Sequence, residues 1–341
     1  MSQLRFDPLQ ERWVIIPSGR ARTPSDYIVD REEVRLAFSP FSEGNEARTP
    51  PEVYAIRPEG GEPNTPGWSV RVVPNKFPML GIEGSTEIHS EGASEWMDGV
   101  GIHEVVVESP HVSKDLSDLE PAQVADVFLA CRARVLDLRR DRRLRYLLVF
   151  KNHGVEDGST ISHSHTQIIG LPITPIALRQ ELAASRKHFE SEGTCLFCHH
   201  LASEVASGDR IVTMNDHFLA YAPYASRFPF ELNISPREHA HSFADIPDAH
   251  LPALGEIVRD ILGRLRRVLK DPPYNFALHT APNTDAEPRP DDYWATLEQD
   301  FHWHLEVVPR LTQVTGLEWG AGVYVNSMPP EDAAAFLRDA K

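Results

Sequence analysis

The feature that most constrains this chain is that its two halves repeat one order of elements. In the first half a β-rich run, His103-Glu104-Val105-Val106-Val107-Glu108, precedes the turn Ser109-Pro110-His111. Leu116-Ser117-Asp118-Leu119 then introduces a helix with Val124, Val127, Phe128, Cys131 and Val135 at helical spacing. In the second half Phe230-Glu231-Leu232-Asn233-Ile234 precedes Ser235-Pro236-Arg237, and Phe243-Ala244-Asp245-Ile246 introduces a helix carrying Leu254, Ile257, Val258, Ile261, Leu265 and Val268 on one stripe. Each helix leads to a strand, Tyr146-Leu147-Leu148-Val149-Phe150 or Tyr274-Asn275-Phe276-Ala277-Leu278, then a loop, then a strand that opens on His-x-His. Strand, helix, strand, strand, given twice, predicts an α+β fold in which antiparallel sheets each pack a helix on one face. A chain of 341 residues has room for two such units. The expected division is 1–190 and 191–341, with 39–67 and 282–292, rich in Pro, Gly and acidic residues, as loops.

Charge narrows the partners. A formal net charge of −16 opposes binding to the phosphates of nucleic acid, which takes clustered cations. A small phosphorylated ligand needs only a few local donors. The basic run Arg139-Arg140-Asp141-Arg142-Arg143 closes the first helix, where cations complement the dipole. Met1 to Asp7 carries charge where a signal peptide needs an apolar core, and no run approaches the roughly 20 apolar residues of a spanning helix. A cytoplasmic protein without membrane partners is expected. Of three cysteines, Cys131 belongs to the first helix stripe and reads as a buried core thiol, whereas Cys195-x-x-Cys198 suits metal or redox work.

Alternation along a strand places His163, His165 and Gln167 on one face, and His302, His304 and Glu306 on one face. The two sets differ at their last member. A glutamine amide donates to a phosphate oxygen, while a glutamate would set a carboxylate against an anion, so phosphate chemistry is expected in the first half. The loop Asn152-His153-Gly154-Val155-Glu156-Asp157-Gly158-Ser159-Thr160 adds amides, hydroxyls and glycines suited to close approach around an anion.

Over nearly its whole length the chain resembles the galactose-1-phosphate uridylyltransferase branch of the histidine triad superfamily, as a short, divergent example. The resemblance is carried by Phe6-Asp7-Pro8-Leu9 with Trp13-Val14-Ile15, by Val73-Pro74-Asn75-Lys76-Phe77-Pro78, by Phe150 to Gln167, and by His302-Trp303-His304. It implies two tandem histidine-triad-like half-barrel domains, in agreement with the repeat. It also implies that His165 attacks the α-phosphorus of a nucleotide sugar while Gln167 holds a non-bridging oxygen. By the same resemblance Asn75, Lys76 and Phe77 approach the nucleoside; Asn152, Gly158, Ser159 and Thr160 approach phosphates and ribose; and Arg20, in Ser18-Gly19-Arg20-Ala21-Arg22, contacts phosphate.

Members of this family often carry zinc in the first half, held by a Cys-x-x-Cys pair, a histidine after a Ser-Pro-x turn, and the first histidine of His-x-His. Here Ser39-Pro40-Phe41-Ser42 stands where the cysteines belong and Val112 where the histidine belongs, so only His163 survives and that site is expected to be lost. The second half offers Cys195, Cys198, His239 and His302 at repeat-equivalent positions, a donor set for one structural zinc, with His241 as rival third ligand. Glu181, His279, His302 and His304 resemble another metal site of the family, with His302 common to both descriptions.

The leading expectation is transfer of a nucleoside monophosphate between a nucleotide sugar, UDP-hexose first, and a hexose 1-phosphate. The alternative is an ADP-glucose or dinucleotide phosphorylase that uses inorganic phosphate, and a further one is a nucleotide-binding protein without turnover. Leu317-Glu318-Trp319-Gly320 to Asn326 departs from the family's galactose-recognising segment, so the hexose and the base stay open. The resemblance implies a homodimer.

Overall fold

The computed structural model describes residues 1–18, 22–28, 38–112, 114–154, 163–287 and 294–340. Two short strands open the chain, β1 (Gln3–Asp7) and β2 (Arg12–Ile16), followed by β3 (Tyr54–Ile56), β4 (Val70–Pro74), the hairpin β5 (His89–Glu91) and β6 (Ser94–Trp96), and β7 (Ile102–Val107). Helix α1 (Pro121–Leu138) leads to β8 (Tyr146–His153), β9 (His165–Leu171), α2 (Ile176–Glu192) and α3 (Leu196–Ser207). The second repeat runs β10 (Ile211–Met214), β11 (Phe218–Tyr221), β12 (Leu232–Pro236), α4 (Leu251–Leu269), β13 (Tyr274–His279), α5 (Leu297–Asp300) and β14 (His304–Pro309). Helix α6 (Gly316–Ala321), β15 (Tyr324–Val325) and α7 (Pro330–Asp339) close it. No helix among the described residues is long and apolar enough to cross a membrane.

Both repeats contribute to one antiparallel sheet of ten strands, in the order β10-β11-β12-β14-β13-β8-β9-β7-β4-β3. Each half supplies five neighbouring strands, and the seam is the pairing of β8 with β13. Phe150 pairs with Gln167 within the first half, Ala277 pairs with Glu306 within the second, and Phe150 pairs with Ala277 across the seam. Equivalent residues thus face each other, which puts the axis relating the halves between Phe150 and Ala277.

The long helices lie together over the seam. Helix α1 starts at Pro121, whose missing N–H is no loss in a first turn, and buries Val124, Val127, Phe128, Cys131 and Val135. Helix α4 buries Leu254, Ile257, Val258, Ile261 and Leu265, while Val268 packs at the margin. A Cβ on Gly255 would stand 2.4 Å from the Pro121 carbonyl oxygen and 2.6 Å from the Ala125 nitrogen, so only glycine lets the two backbones cross this closely. One apolar cluster draws on both helices and on strands of both halves.

The chain departs from the sequence reading in three places. The segment 39–67 includes strand β3, which adds the edge of the sheet beside β4. Strand β8 continues through Lys151, Asn152 and His153, because Lys151 finds a buried carboxylate partner. The division near 190 falls at the end of α2, yet β1 and β2 pack on the second half, where Arg5 pairs with Glu331 and β15 joins β2 in parallel.

Candidate active site

His165 is the first residue of β9. Its Nδ1–H donates to the His163 carbonyl at 2.8 Å, which leaves the Nε2 lone pair as the free, nucleophilic position. Burial holds its pKa below the ordinary imidazole value of 6.5, so the ring is neutral at physiological pH. The Phe41 ring stands edge-on to it, with centroids 5.6 Å apart.

The strand proper begins at His165, so His163 lies in its approach rather than on its exposed face. It is fully buried. Nε2–H donates to the Ser109 carbonyl at 2.7 Å, and Nδ1 accepts from the Ser39 hydroxyl at 2.9 Å. Ser39, standing where the family resemblance places a cysteine, thus fixes the ring by a hydrogen bond.

Beneath the strand lies a buried ion pair that the sequence reading missed. Lys151 Nζ is 2.9 and 3.0 Å from the Glu108 carboxylate oxygens, and the same carboxylate accepts from the Ser164 and Thr166 hydroxyls at 2.6 Å each. Lys151 also donates to the His165 carbonyl at 3.2 Å. Ser164 and Thr166 alternate with the histidines, so their bonds pin the strand from its opposite face. A buried Lys–Glu pair keeps its charges only when its remaining donors and acceptors are met, and here they are. The signal in the sequence was a lysine and a glutamate inside β-rich runs.

Gln167 projects from β9 beside His103 of β7, another residue the reading did not single out. His103 Nε2 is 2.8 Å from Gln167 Oε1, and the Asn75 amide nitrogen lies 3.2 Å from His103 Nε2 and 3.4 Å from Nδ1. Asn75 Oδ1 accepts from the Phe77 N–H at 2.9 Å. Lys76 and Phe77 are exposed, Phe77 by 82%. Asn152 accepts from the Asn275 amide at 2.9 Å across the seam. Arg20, Gly158, Ser159 and Thr160 lie outside the described residues.

The second repeat is built differently. Glu306 pairs with Arg227, which also reaches Glu231 at 3.2 Å. The Arg227 guanidinium holds the Glu306 carboxyl well below the usual carboxylate range, while burial raises that of Glu231 to about 7. His304 is buried and its pKa is pushed down to about 4 by desolvation.

Two groups of metal-ligand type flank it. The Sγ atoms of Cys195 and Cys198 and the ring nitrogens of His239 and His302 all lie within 4.8 Å of one another. Cys198 Sγ is 3.3 Å from His239 Nδ1 and 3.5 Å from His302 Nδ1. Tetrahedral bonds of about 2.3 Å to sulfur and 2.0 Å to nitrogen place such atoms roughly 3.5 Å apart, so the set fits zinc geometry. His239 Nε2–H donates to the Glu298 carbonyl at 2.9 Å, which directs Nδ1 inward as an outer-shell partner does. His302 Nε2 is buried without a hydrogen-bond partner among the described residues. His241 instead lies 3.8 Å from Asp245. The other group is Glu181, His279 and His304, with His279 Nδ1 2.8 Å from Glu181. His302 stands with the cysteines, so the two sets are neighbours that share no ligand.

Comparison with known proteins places this geometry. Residues 181–332 match the family described as Galactose-1-phosphate uridyl transferase, C-terminal domain, and residues 100–173 match the Domain of unknown function (DUF4931) N-terminal domain. The chain is similar to an ADP-glucose phosphorylase from Arabidopsis thaliana, 33% identical over 99% of this chain and 92% of that one. It is also similar to a galactose-1-phosphate uridylyltransferase from Thermotoga maritima, 24% identical over 99% and 98%. The crystal structure of an ADP-glucose phosphorylase from A. thaliana with bound ADP-glucose superposes with a TM-score of 0.80, at 31% identity over 99% of both chains. A uridylyltransferase structure gives 0.74 at 27% identity, covering 100% of this chain and 98% of that one. A neutral, largely buried histidine on a repeated α+β scaffold, matched from end to end by enzymes of one kind, makes this chain a nucleotidyltransferase belonging to the galactose-1-phosphate uridylyltransferase family.

Proposed function

We propose that the chain is a nucleotide-sugar phosphorylase of the ADP-glucose type, which uses inorganic phosphate to convert ADP-glucose into ADP and glucose 1-phosphate. The observation that carries this choice is relatedness: identity to the A. thaliana ADP-glucose phosphorylase is 33%, against 24% to the T. maritima uridylyltransferase, each over nearly the whole chain. This replaces the sequence-based preference for UDP-hexose and a hexose 1-phosphate acceptor. Similarity to uridylyltransferases along the full chain keeps that acceptor as the second reading.

In the first step His165 Nε2 attacks the α-phosphorus, the bond from that phosphorus to the bridging oxygen breaks, and glucose 1-phosphate leaves with the oxygen. In the second, a phosphate oxygen attacks the same phosphorus, the P–N bond breaks, and ADP departs. The Nδ1 proton need not move. Its bond to the His163 carbonyl steadies the positive ring of the nucleotidyl-histidine, and the ring returns to its neutral tautomer when ADP leaves. Gln167 donates to a non-bridging oxygen as charge shifts at phosphorus. Asn75, Lys76 and Phe77 border the nucleoside, with Arg20, Asn152, Gly158, Ser159 and Thr160 completing the phosphate and ribose contacts.

In the same reading residues 1–190 form the catalytic unit, and the 191–341 unit holds one structural zinc on Cys195, Cys198, His239 and His302. Zinc there supplies cross-linking of α3 to the approach of β14. The protein is a homodimer, a state favoured by the exposed Leu4 and Trp13 of the small β1–β2 sheet.

The test is acceptor-free incubation with ADP-glucose or UDP-glucose, followed by phosphate or galactose 1-phosphate. About one equivalent of glucose 1-phosphate should appear from ADP-glucose, with ADP formed only after phosphate is added. Charging from UDP-glucose alone, with discharge only onto galactose 1-phosphate, would establish the second reading instead.

A further inference from the structure

We propose that His103 is a positioning residue for nucleotidyl transfer: it fixes the Gln167 amide with its N–H donors toward the phosphate and ties that amide to the Asn75–Phe77 loop. The inference rests on Gln167 serving the transferred phosphoryl group, as argued above.

His103 lies on β7, where Val105 pairs with Gln167 and His103 with Ile169. His103 is therefore the diagonal neighbour of Gln167 on the same sheet face, within side-chain reach. It is 6% exposed. At 2.8 Å from Gln167 Oε1, which can only accept, His103 Nε2 must carry the proton. The Asn75 amide nitrogen stands beside the same ring, 3.2 Å from Nε2 and 3.4 Å from Nδ1. The Asn75 backbone N–H donates to the His103 carbonyl at 2.8 Å, so loop and strand are joined by main chain as well. Contacts run without a break from the Phe77 N–H through Asn75 and the His103 ring to Gln167 Oε1, the last of them donated by Nε2–H. With Oε1 engaged, the Gln167 NH₂ is left to donate outward. A flipped amide would set NH₂ against the Nε2–H and aim a carbonyl oxygen at the phosphate, two repulsions at once.

The second repeat supports the assignment. Asn233 pairs with Glu306 as Val105 pairs with Gln167, so Glu231 occupies the position equivalent to His103. There Glu231 pairs with Arg227, and Arg227 in turn pairs with Glu306. The same sheet position thus bears on the last residue of each His-x-His segment, directly through His103 in the first half and by way of Arg227 in the second.

The test separates adduct formation from binding. Single-turnover labelling with ADP-glucose and equilibrium binding of ADP-glucose would be measured for wild type, His103→Leu, His103→Gln, Gln167→Ala and the double variant His103→Leu/Gln167→Ala. His103→Leu should slow labelling roughly 10- to 100-fold with binding changed by less than about threefold, and His103→Gln, which keeps a donor, should recover most of the rate. In the Gln167→Ala background the His103→Leu change should add little. Should His103→Leu fail to fold, His103→Glu, which presents only acceptors to Oε1, should show the same slow labelling. Wild-type labelling in these variants, or an undiminished effect without Gln167, overturns the role of His103 while the phosphorylase reading stands. A wild type that labels with no nucleotide sugar removes both.

Discussion

The two His-x-His segments occupy equivalent positions about the axis between Phe150 and Ala277, yet their surroundings differ, and we propose transfer at only one of them. His165 is partly exposed, its Nε2 is free, and its strand ends in a neutral amide held by His103. His304 is buried beside Glu181, and its strand carries a carboxylate held by Arg227. The metal-ligand sets sort the other way: Ser39 and Ser109 occupy both nitrogens of His163, whereas His302 stands among Cys195, Cys198 and His239. The repeat supplies two frames for a histidine. A few side chains around each decide whether the frame does chemistry or holds structure.

That contrast can be broken by substitution, beginning with the largest effect. His165→Ala should abolish turnover, a loss on the order of 10⁴-fold or more, while His304→Ala leaves a folded enzyme that still forms its adduct. A His304→Ala variant as inactive as His165→Ala would end the assignment of chemistry to the first half. Gln167→Glu gives the first half the second half's residue and should cost about 10²- to 10³-fold in the rate of labelling, read by single turnover. Cys195→Ala should lose the bound zinc by metal analysis and lower Tm by roughly 5 °C or more, with labelling at low temperature largely kept. Zinc content unchanged from wild type would contradict the ligand set.

The pH dependence follows from burial of His165. Its nucleophilic neutral form persists below the ordinary imidazole value of 6.5, so the acid limb of the labelling rate should fall below that pH. A limb above 6.5 would mean a stabilised imidazolium. The smallest effect concerns the scaffold. Gly255→Ala must separate α1 from α4 and should cost about 1–3 kcal/mol in denaturant unfolding, with labelling unchanged at low temperature.

Much of this was legible in the sequence because repetition and helical spacing are local signals. The stripes of α1 and α4, the His-x-His pairs and the Cys-x-x-Cys pair follow from spacing within a short stretch, and repeat equivalence adds His239 and His302 to the cysteines. What escaped depends on neighbours distant in sequence. Lys151 stands just past the expected strand Tyr146–Phe150, and only Glu108, at another strand's end, gives it a buried partner. His103 reads as one polar residue in a β-rich run, and only the β7–β9 register brings it to Gln167. The joining of both halves into one sheet rests on β8 meeting β13, a pairing that no periodicity specifies.

The central claim is that the nucleotidyl group is carried by His165 alone. Purified protein incubated with ADP-glucose, quenched in base to spare an acid-labile P–N bond and digested for mass spectrometry, should carry a nucleoside monophosphate on the peptide containing His165, lost on addition of phosphate. A modification mapped to His304, or turnover of ADP-glucose with no modified histidine, would contradict it.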